Sequence, residues 1–191
     1  TSTPITVSGV GSNFGIDATG NVTASRGNIT VSGNNGGNYG IKSGGVANVE
    51  RLTITARGGS STGRNTAISG GTGVVLDHVT AATDSLDGNV VYAVSGNITG
   101  GSYSSITAEG YRSNAVRANN GSVSLSTSTT VTTNSNESTA IKATQGVSLD
   151  QVSSATAKGS GSYAIYNNGS GNVSLDRRSS CLLYTSPSPR D

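Results

Sequence analysis

Apolar positions along this chain are sparse, and they return at a fixed interval. A small residue followed by a β-branched one heads each return: FGIDATG at 14–20, YGIKSGG at 39–45, TAISGGTG at 66–73 and YAVSGN at 92–97. The series continues with NAVRANNG at 114–121, TAIKATQG at 139–146 and YAIYNNGSG at 163–171. With Ile16, Ile41, Ile68, Val94, Val116, Ile141 and Ile165 as anchors, the intervals are 25, 27, 26, 22, 25 and 24 residues. So steady a period marks an internal repeat.

Two further short strands fall between successive anchors. One follows the glycine turn: NVTAS from 21, GVVLD from 73, NITGG from 97, SVSLS from 122, GVSLD from 146 and NVSLD from 172. In Val123 and Leu125, Val147 and Leu149, and Val173 and Leu175, apolar residues alternate with Ser, the period of a strand with one buried face. The other reads NITVSG from 28, LTITARG from 52, HVTAATD from 78, SITAEG from 105 and TVTTNS from 130. No helical periodicity occurs. A unit of this size cannot bury its own apolar face and must stack on copies of itself. The pattern therefore predicts an all-β fold, a parallel β-helix of about seven coils, each of roughly 25 residues with three short strands. The small residues two places after each anchor (Ala18, Ser43, Gly70, Gly96, Ala118, Ala143) would share a narrow interior. Alternation leaves the aromatics Phe14, Tyr39, Tyr92 and Tyr163 either inward or at a corner.

Composition fits an economical solenoid. Gly, Ser, Thr and Asn are abundant, and Thr and Val favour strands while Gly and Asn favour turns. Disorder couples few apolar residues to high net charge, and the net charge here is only +2. That value is also too small for a nucleic-acid partner, which calls for clustered Lys and Arg. No apolar run is long enough to span a membrane as a helix.

The last eleven residues, CLLYTSPSPRD at 181–191, depart from the pattern. They hold the single Cys, two of the three prolines and two of the leucines. They are identical to one reading frame of a transposase-based sequencing-library adapter. The expected division is therefore a repeat domain at 1–180 and a non-native tail at 181–191, with the natural chain continuing beyond 180. Without Cys181 the repeat has no thiol and no disulfide framework.

The repeat of aromatic, Gly or Ala, and Ile, then small residues and Gly, then Val-x-Leu and a Thr-rich strand, resembles pertactin-type autotransporter passengers over residues 1 to about 180. The resemblance implies a right-handed, single-stranded β-helix carried through a bacterial outer membrane by a C-terminal β-barrel. It implies a surface-exposed or secreted stalk or adhesin that is not an enzyme, with cell-surface glycans or proteins of a host as partners. The absence of Cys agrees with passage through an oxidising periplasm. An uncapped coil end implies self-association.

Candidate chemistry is thin. His78 is the only histidine, so any triad would depend on it, and strand alternation would send Asp77 to the opposite face. Parallel β-helices include polysaccharide lyases and glycosidases, the alternative reading; hydrolysis needs paired carboxylates, and Ca²⁺-assisted lyases need oxygen ligands clustered on one face. Asp84 and Asp87 are close in sequence. Asp150 and Asp176 fall at equivalent places on adjacent coils, with Arg177 and Arg178 nearby, as a turn ladder would arrange them. GGTGVVLDH at 70–78 nearly copies a calcium-binding nonapeptide, but Val75 stands where its carboxylate belongs. The Asn-x-Ser/Thr triplets at Asn28, Asn97 and Asn136 are what such a composition produces. Lys42, Arg117 and Lys142 follow their anchors and should face outward on one sheet, the latter two on adjacent coils, as scattered solubilising charge in preference to a weakly basic stripe that touches acidic glycans. No catalytic, cofactor-binding or metal-ligating residue is assigned.

Overall fold

A computed structural model describes residues 4–34, 37–58 and 64–184. Their regular elements are all strands, paired in parallel and stacked as a β-solenoid of about seven turns. The anchor wall is a seven-stranded sheet: Asn13–Ala18, Asn38–Ser43, Thr66–Gly70, Asn89–Ala93, Asn114–Ala118, Thr139–Ala143 and Tyr163–Asn167. The second and third walls belong to one thirteen-stranded sheet. The second contains Gly73–Asp77, Ile98–Ser102, Val123–Leu125, Val147–Leu149 and Val173–Leu175, and the third contains Thr80–Thr83, Ser105–Ala108, Thr130–Thr133 and Ser154–Lys158.

Register places like residues on like. On the second wall Val74, Ile98, Val123, Val147 and Val173 form one column. On the third, Ile29, Ile54, Ala81, Ile106, Val131 and Ala155 form another. On the anchor wall Ile41, Ile68, Val91, Val116 and Ile141 are fully buried. Each coil contributes only a few apolar side chains, but neighbouring coils lie about 4.8 Å apart and join them into a continuous core. The glycine before the second anchor has a steric cause. A Cβ on Gly40 would lie 2.3 Å from Ile54 Cγ2 and 2.5 Å from the Ala67 carbonyl oxygen.

Two expectations are corrected. The fourth anchor is Val91, not Val94: Val91 pairs with both Ile68 and Val116, while Val94 is 42% exposed. Asn89–Val90–Val91 matches Asn114–Ala115–Val116, and the strand ends at Ala93, so Ala93 takes the interior place expected for Gly96. Tyr92 accordingly follows its anchor and points outward. Second, the first two coils do not have separate second and third strands. Val22–Gly33 and Val46–Arg57 each run 12 residues across both walls. A single left-handed residue turns each corner, Arg26 at φ 57° and Arg51 at φ 50°, so the ladder continues through the bend. His78 and Tyr103 hold the same conformation in later coils, at φ 51° and 48°.

The third wall continues into Ser180–Tyr184, which pairs in register with Ser154–Lys158. The first four residues of the adapter-like stretch thus lie on the solenoid, and residues 185–191 fall outside those described. Leu182, Leu183 and Tyr184 are about half exposed.

Candidate functional site

Outward residues of the anchor wall form two neighbouring columns. One runs Phe14, Tyr39, Thr66, Asn89, Asn114, Thr139 and Tyr163. The other runs Asp17, Lys42, Ser69, Tyr92, Arg117, Lys142 and Tyr166. Aromatic rings and cations are concentrated here. Phe14 and Tyr39 stack with centroids 5.2 Å apart and planes 12° from parallel. The Lys42 ammonium lies 5.0 Å from the Phe14 ring centre, Arg117 lies 5.5 Å from that of Tyr92, and Lys142 lies 5.3 Å from that of Tyr166. Such contacts hold long cationic side chains against the sheet.

In the third coil both columns carry short side chains, Thr66 and Ser69, and the surface dips. Around them is a cavity of about 340 Å³, bounded by Tyr39, Lys42 and Arg64 on one side and by Asn89, Tyr92, Val94 and Arg117 on the other. This saddle holds three cations and no carboxylate along its lining. Lys42 is 3.7 Å from Asp17. Arg117 Nη2 donates to Asn119 Oδ1 at 2.9 Å, while its buried Nε has no partner among the described residues. One coil beyond, burial pushes the Lys142 amine below its ordinary value, and the charge of Arg117 adds to the effect.

The expected outward placement of these cations is therefore present, with Arg117 and Lys142 paired on adjacent coils. Lys42 belongs to the same column, separated from them by Ser69 and Tyr92. Arg64 and the short residues of the third coil were not singled out in the sequence, and Tyr92 was placed inward or at a corner, not on the outer face. Their place depends on the register of the fourth coil, which the Val94 alignment shifts by three residues.

The remaining candidates occupy other corners. Backbone at positive φ turns His78 back on its neighbour, and its Nδ1 lies 2.8 Å from Asp77 Oδ1. The expected opposite-face arrangement fails because the two residues span a corner and not an extended strand. The His78 ring also packs on Tyr103, 5.2 Å between centroids. Asp77 and Glu50, paired on adjacent coils, line a second cavity of about 270 Å³. Each has its own close partner, since Arg51 Nη1 is 3.2 Å from Glu50.

Asp84 and Asp87, close in sequence, serve different neighbours. Asp84 Oδ1 accepts the Gly58 N–H at 3.1 Å. Asp87 takes a two-pronged contact from Arg112, with Nε and Nη2 donating at 3.0 and 2.7 Å. That contact holds the Asp87 carboxyl below the usual carboxylate range. Asp150 and Asp176 occupy equivalent positions, each donating its N–H to the leucine carbonyl of the coil before. Asp176 accepts backbone N–H groups from Gln151, Arg178 and Ser179, and these bonds lower its pKa. Its carboxylate is committed to its turn. Asn97 and Asn136 likewise accept backbone N–H groups of the following coil, from Ser122 and Ser160, each at 2.9 Å. Val75, at the position a calcium ligand would need, lies on the outer face of its strand. Among the described residues no group of three or more His, Cys, Asp or Glu side chains converges.

No family model matches this chain, and no curated protein or solved structure matches it.

Proposed function

We propose that this chain is a stalk and adhesive segment of a surface-exposed or secreted bacterial passenger of the autotransporter type, non-catalytic, and carried in its natural form by a C-terminal β-barrel. One observation carries the reading: the third wall presents uncharged hydroxyls to solvent through successive coils. Thr30, Thr55, Thr107, Thr132 and Thr156 share one outward column, interrupted by Ala82. Thr53, Thr80, Ser105, Thr130 and Ser154 share the next. A face of this kind is well hydrated and repeats its contacts along its length. Seven coils extend it over about 35 Å at the spacing of stacked parallel strands, which suits weak, multiple attachment.

The alternative is a secreted enzyme acting on polysaccharide. Its best footing is the cavity shared by Glu50 and Asp77, two carboxylates on neighbouring coils as glycoside hydrolysis requires. The two readings part in one assay. Immobilised glycans of defined structure are incubated with the purified chain, and both retained protein and newly formed reducing or unsaturated ends are measured. Retention without new ends supports the adhesive stalk. New ends that disappear in Glu50→Gln or Asp77→Asn would establish the enzyme instead. Extending the coding sequence past Ser180 tests the barrel: more coils followed by amphipathic barrel strands are expected.

A further inference from the structure

The anchor-wall saddle combines features that one kind of ligand uses together. Tyr39 is covered on one face by Phe14, in near-parallel stacking at 5.2 Å. Since the two residues are register partners on adjacent coils, the stack runs along the solenoid axis, and the other face of Tyr39 looks toward the third coil. The partner of Tyr39 there is Thr66, too short to cover a ring. Tyr92 stands two coils from Tyr39, about 10 Å along the axis at the spacing of stacked strands. That gap takes one six-membered ring between the walls. Cations stand at both ends, and Arg117 brings a buried Nε without a partner among the described residues.

We propose that this saddle binds a single pyranose ring bearing a carboxylate, such as a hexuronic or sialic acid unit of a glycan. The apolar C–H face of the sugar lies on the open face of Tyr39, where the ring quadrupole is negative. Hydroxyls of the sugar exchange hydrogen bonds with Thr66, Ser69 and Asn89. The carboxylate is held end-on by Nη1 and Nη2 of Arg117, with Nη2 exchanging its bond to Asn119 Oδ1 for one of the two oxygens, and Arg64 and Lys42 add positive potential. A neutral sugar would use the stacking surface but leave the cations unanswered, and a bare polyanion would meet the charge without the ring contact. The cavity volume lies at the small end of the range for ligand sites, which suits one sugar unit and not an extended chain. The inference rests on the adhesive reading for the biological source of its ligand, and names the chemistry that reading leaves open.

Calorimetry of the whole chain with four probes tests it: a glucuronic acid oligosaccharide, sialyllactose, a neutral glucose oligosaccharide of matched length, and dextran sulfate. At least one carboxylated sugar should bind about tenfold or more tightly than the neutral one, the difference one charge-assisted contact provides. Which of the two carboxylated probes binds identifies the source of the sugar. Arg117→Gln should remove that preference and leave residual neutral binding. Tyr39→Ala should weaken both. Thr66→Tyr, which extends the Phe14–Tyr39 stack into the cleft and removes no proposed cation, should abolish binding while circular dichroism shows the β-solenoid still folded at the assay temperature. Equal binding of dextran sulfate, or carboxylated-sugar binding that survives Thr66→Tyr, overturns the site while leaving adhesion through another face intact. Cleavage of the uronate probe overturns the non-catalytic reading and leaves the site standing. No binding of any carboxylated sugar overturns the site.

Discussion

The backbone N–H of Asn38 donates to the side-chain Oδ1 of Asn65, 27 residues later and one coil away, at 3.0 Å. The contact belongs to a buried column three places before each anchor. In later coils Ser113 donates its N–H to Ser138 Oγ, and Ser138 to Ser162 Oγ. In the fourth coil Gly88 takes that place. Ser85 supplies the hydroxyl, accepting the Asn65 N–H at 2.8 Å. The column satisfies backbone donors where the chain rounds the corner into the anchor wall, and a buried donor left without an acceptor is costly.

Replacing Asn65 with Ala should therefore destabilise the solenoid more than an exposed substitution does. It strands the Asn38 N–H and removes the Asn65 Nδ2 donation to the Gly58 carbonyl. The expected loss is about 2–3 kcal/mol, read as a lower urea midpoint. Ser105→Ala, exposed on the outward face of the third wall, should change it by about 0.5 kcal/mol or less.

Gly40→Ala tests the narrow interior. The added Cβ would meet both a side chain, Ile54, and a backbone oxygen, that of Ala67, so side-chain rotation alone cannot relieve it. Overpacking of this kind costs about 1–3 kcal/mol, measurable by thermal or urea melting. An unchanged midpoint would mean that the coils separate more readily than the contacts indicate.

Thr83 and Thr133 run the other way. Each is buried, and each Oγ1 has no hydrogen-bond partner among the described residues. Thr133 pairs with Ala108 and Ala157, an apolar column that offers the hydroxyl nothing. Thr133→Val keeps the shape, removes the stranded group and should raise stability by about 1 kcal/mol.

Acid should act partly through Asp87. Its folded pKa is held below the ordinary 3.8 by Arg112, so its contribution is fully present above the unfolded value and lost as pH falls through the folded one. In that window the unfolded chain binds more protons. Asp87→Asn should thus lower stability at pH 7 and do so less at pH 2, by less than about 1 kcal/mol because the pair is largely solvated. Urea melts at the two pH values, repeated in Arg112→Gln, give the comparison.

Among the described residues, Ser180–Tyr184 is paired on one side only, with Leu182, Leu183 and Tyr184 exposed along it. An exposed apolar edge is a template for further pairing. Concentration-dependent association is expected in sedimentation velocity, reduced when Leu182 and Leu183 are both changed to Lys. A monomer across a wide concentration range would contradict it.

Much of this architecture can be read directly from the chain. The period, the Val-x-Leu and Thr-rich strands and the parallel stacking all follow from spacing, because each coil repeats the same inward and outward choices. The outward placement of Lys42, Arg117 and Lys142 follows from alternation for the same reason. What the pattern alone misplaced was the fourth coil, where Ala93–Val94 in YAVSGN offers the small-then-β-branched string and the true anchor, three residues earlier in NVVYA, follows Val90 instead of a small residue. Only burial separates them: Val91 completes a column between Ile68 and Val116, and Val94 would not.

Corners were equally hidden. The sequence does not mark Arg26, Arg51 or His78 as left-handed, since none is Gly, and at His78 the N–H donates to the Ser102 carbonyl of the next coil at 2.7 Å. That turn brings His78 onto Asp77, and it lets Val22–Gly33 and Val46–Arg57 cross two walls unbroken. The saddle has the same origin. Tyr39, Thr66, Tyr92 and Arg117 belong to four different coils, and no local spacing relates them. Sequence determined the repeat, because periodicity is a property of one strand's two faces; tertiary structure decided the site, because a cleft across coils exists only once their register is set.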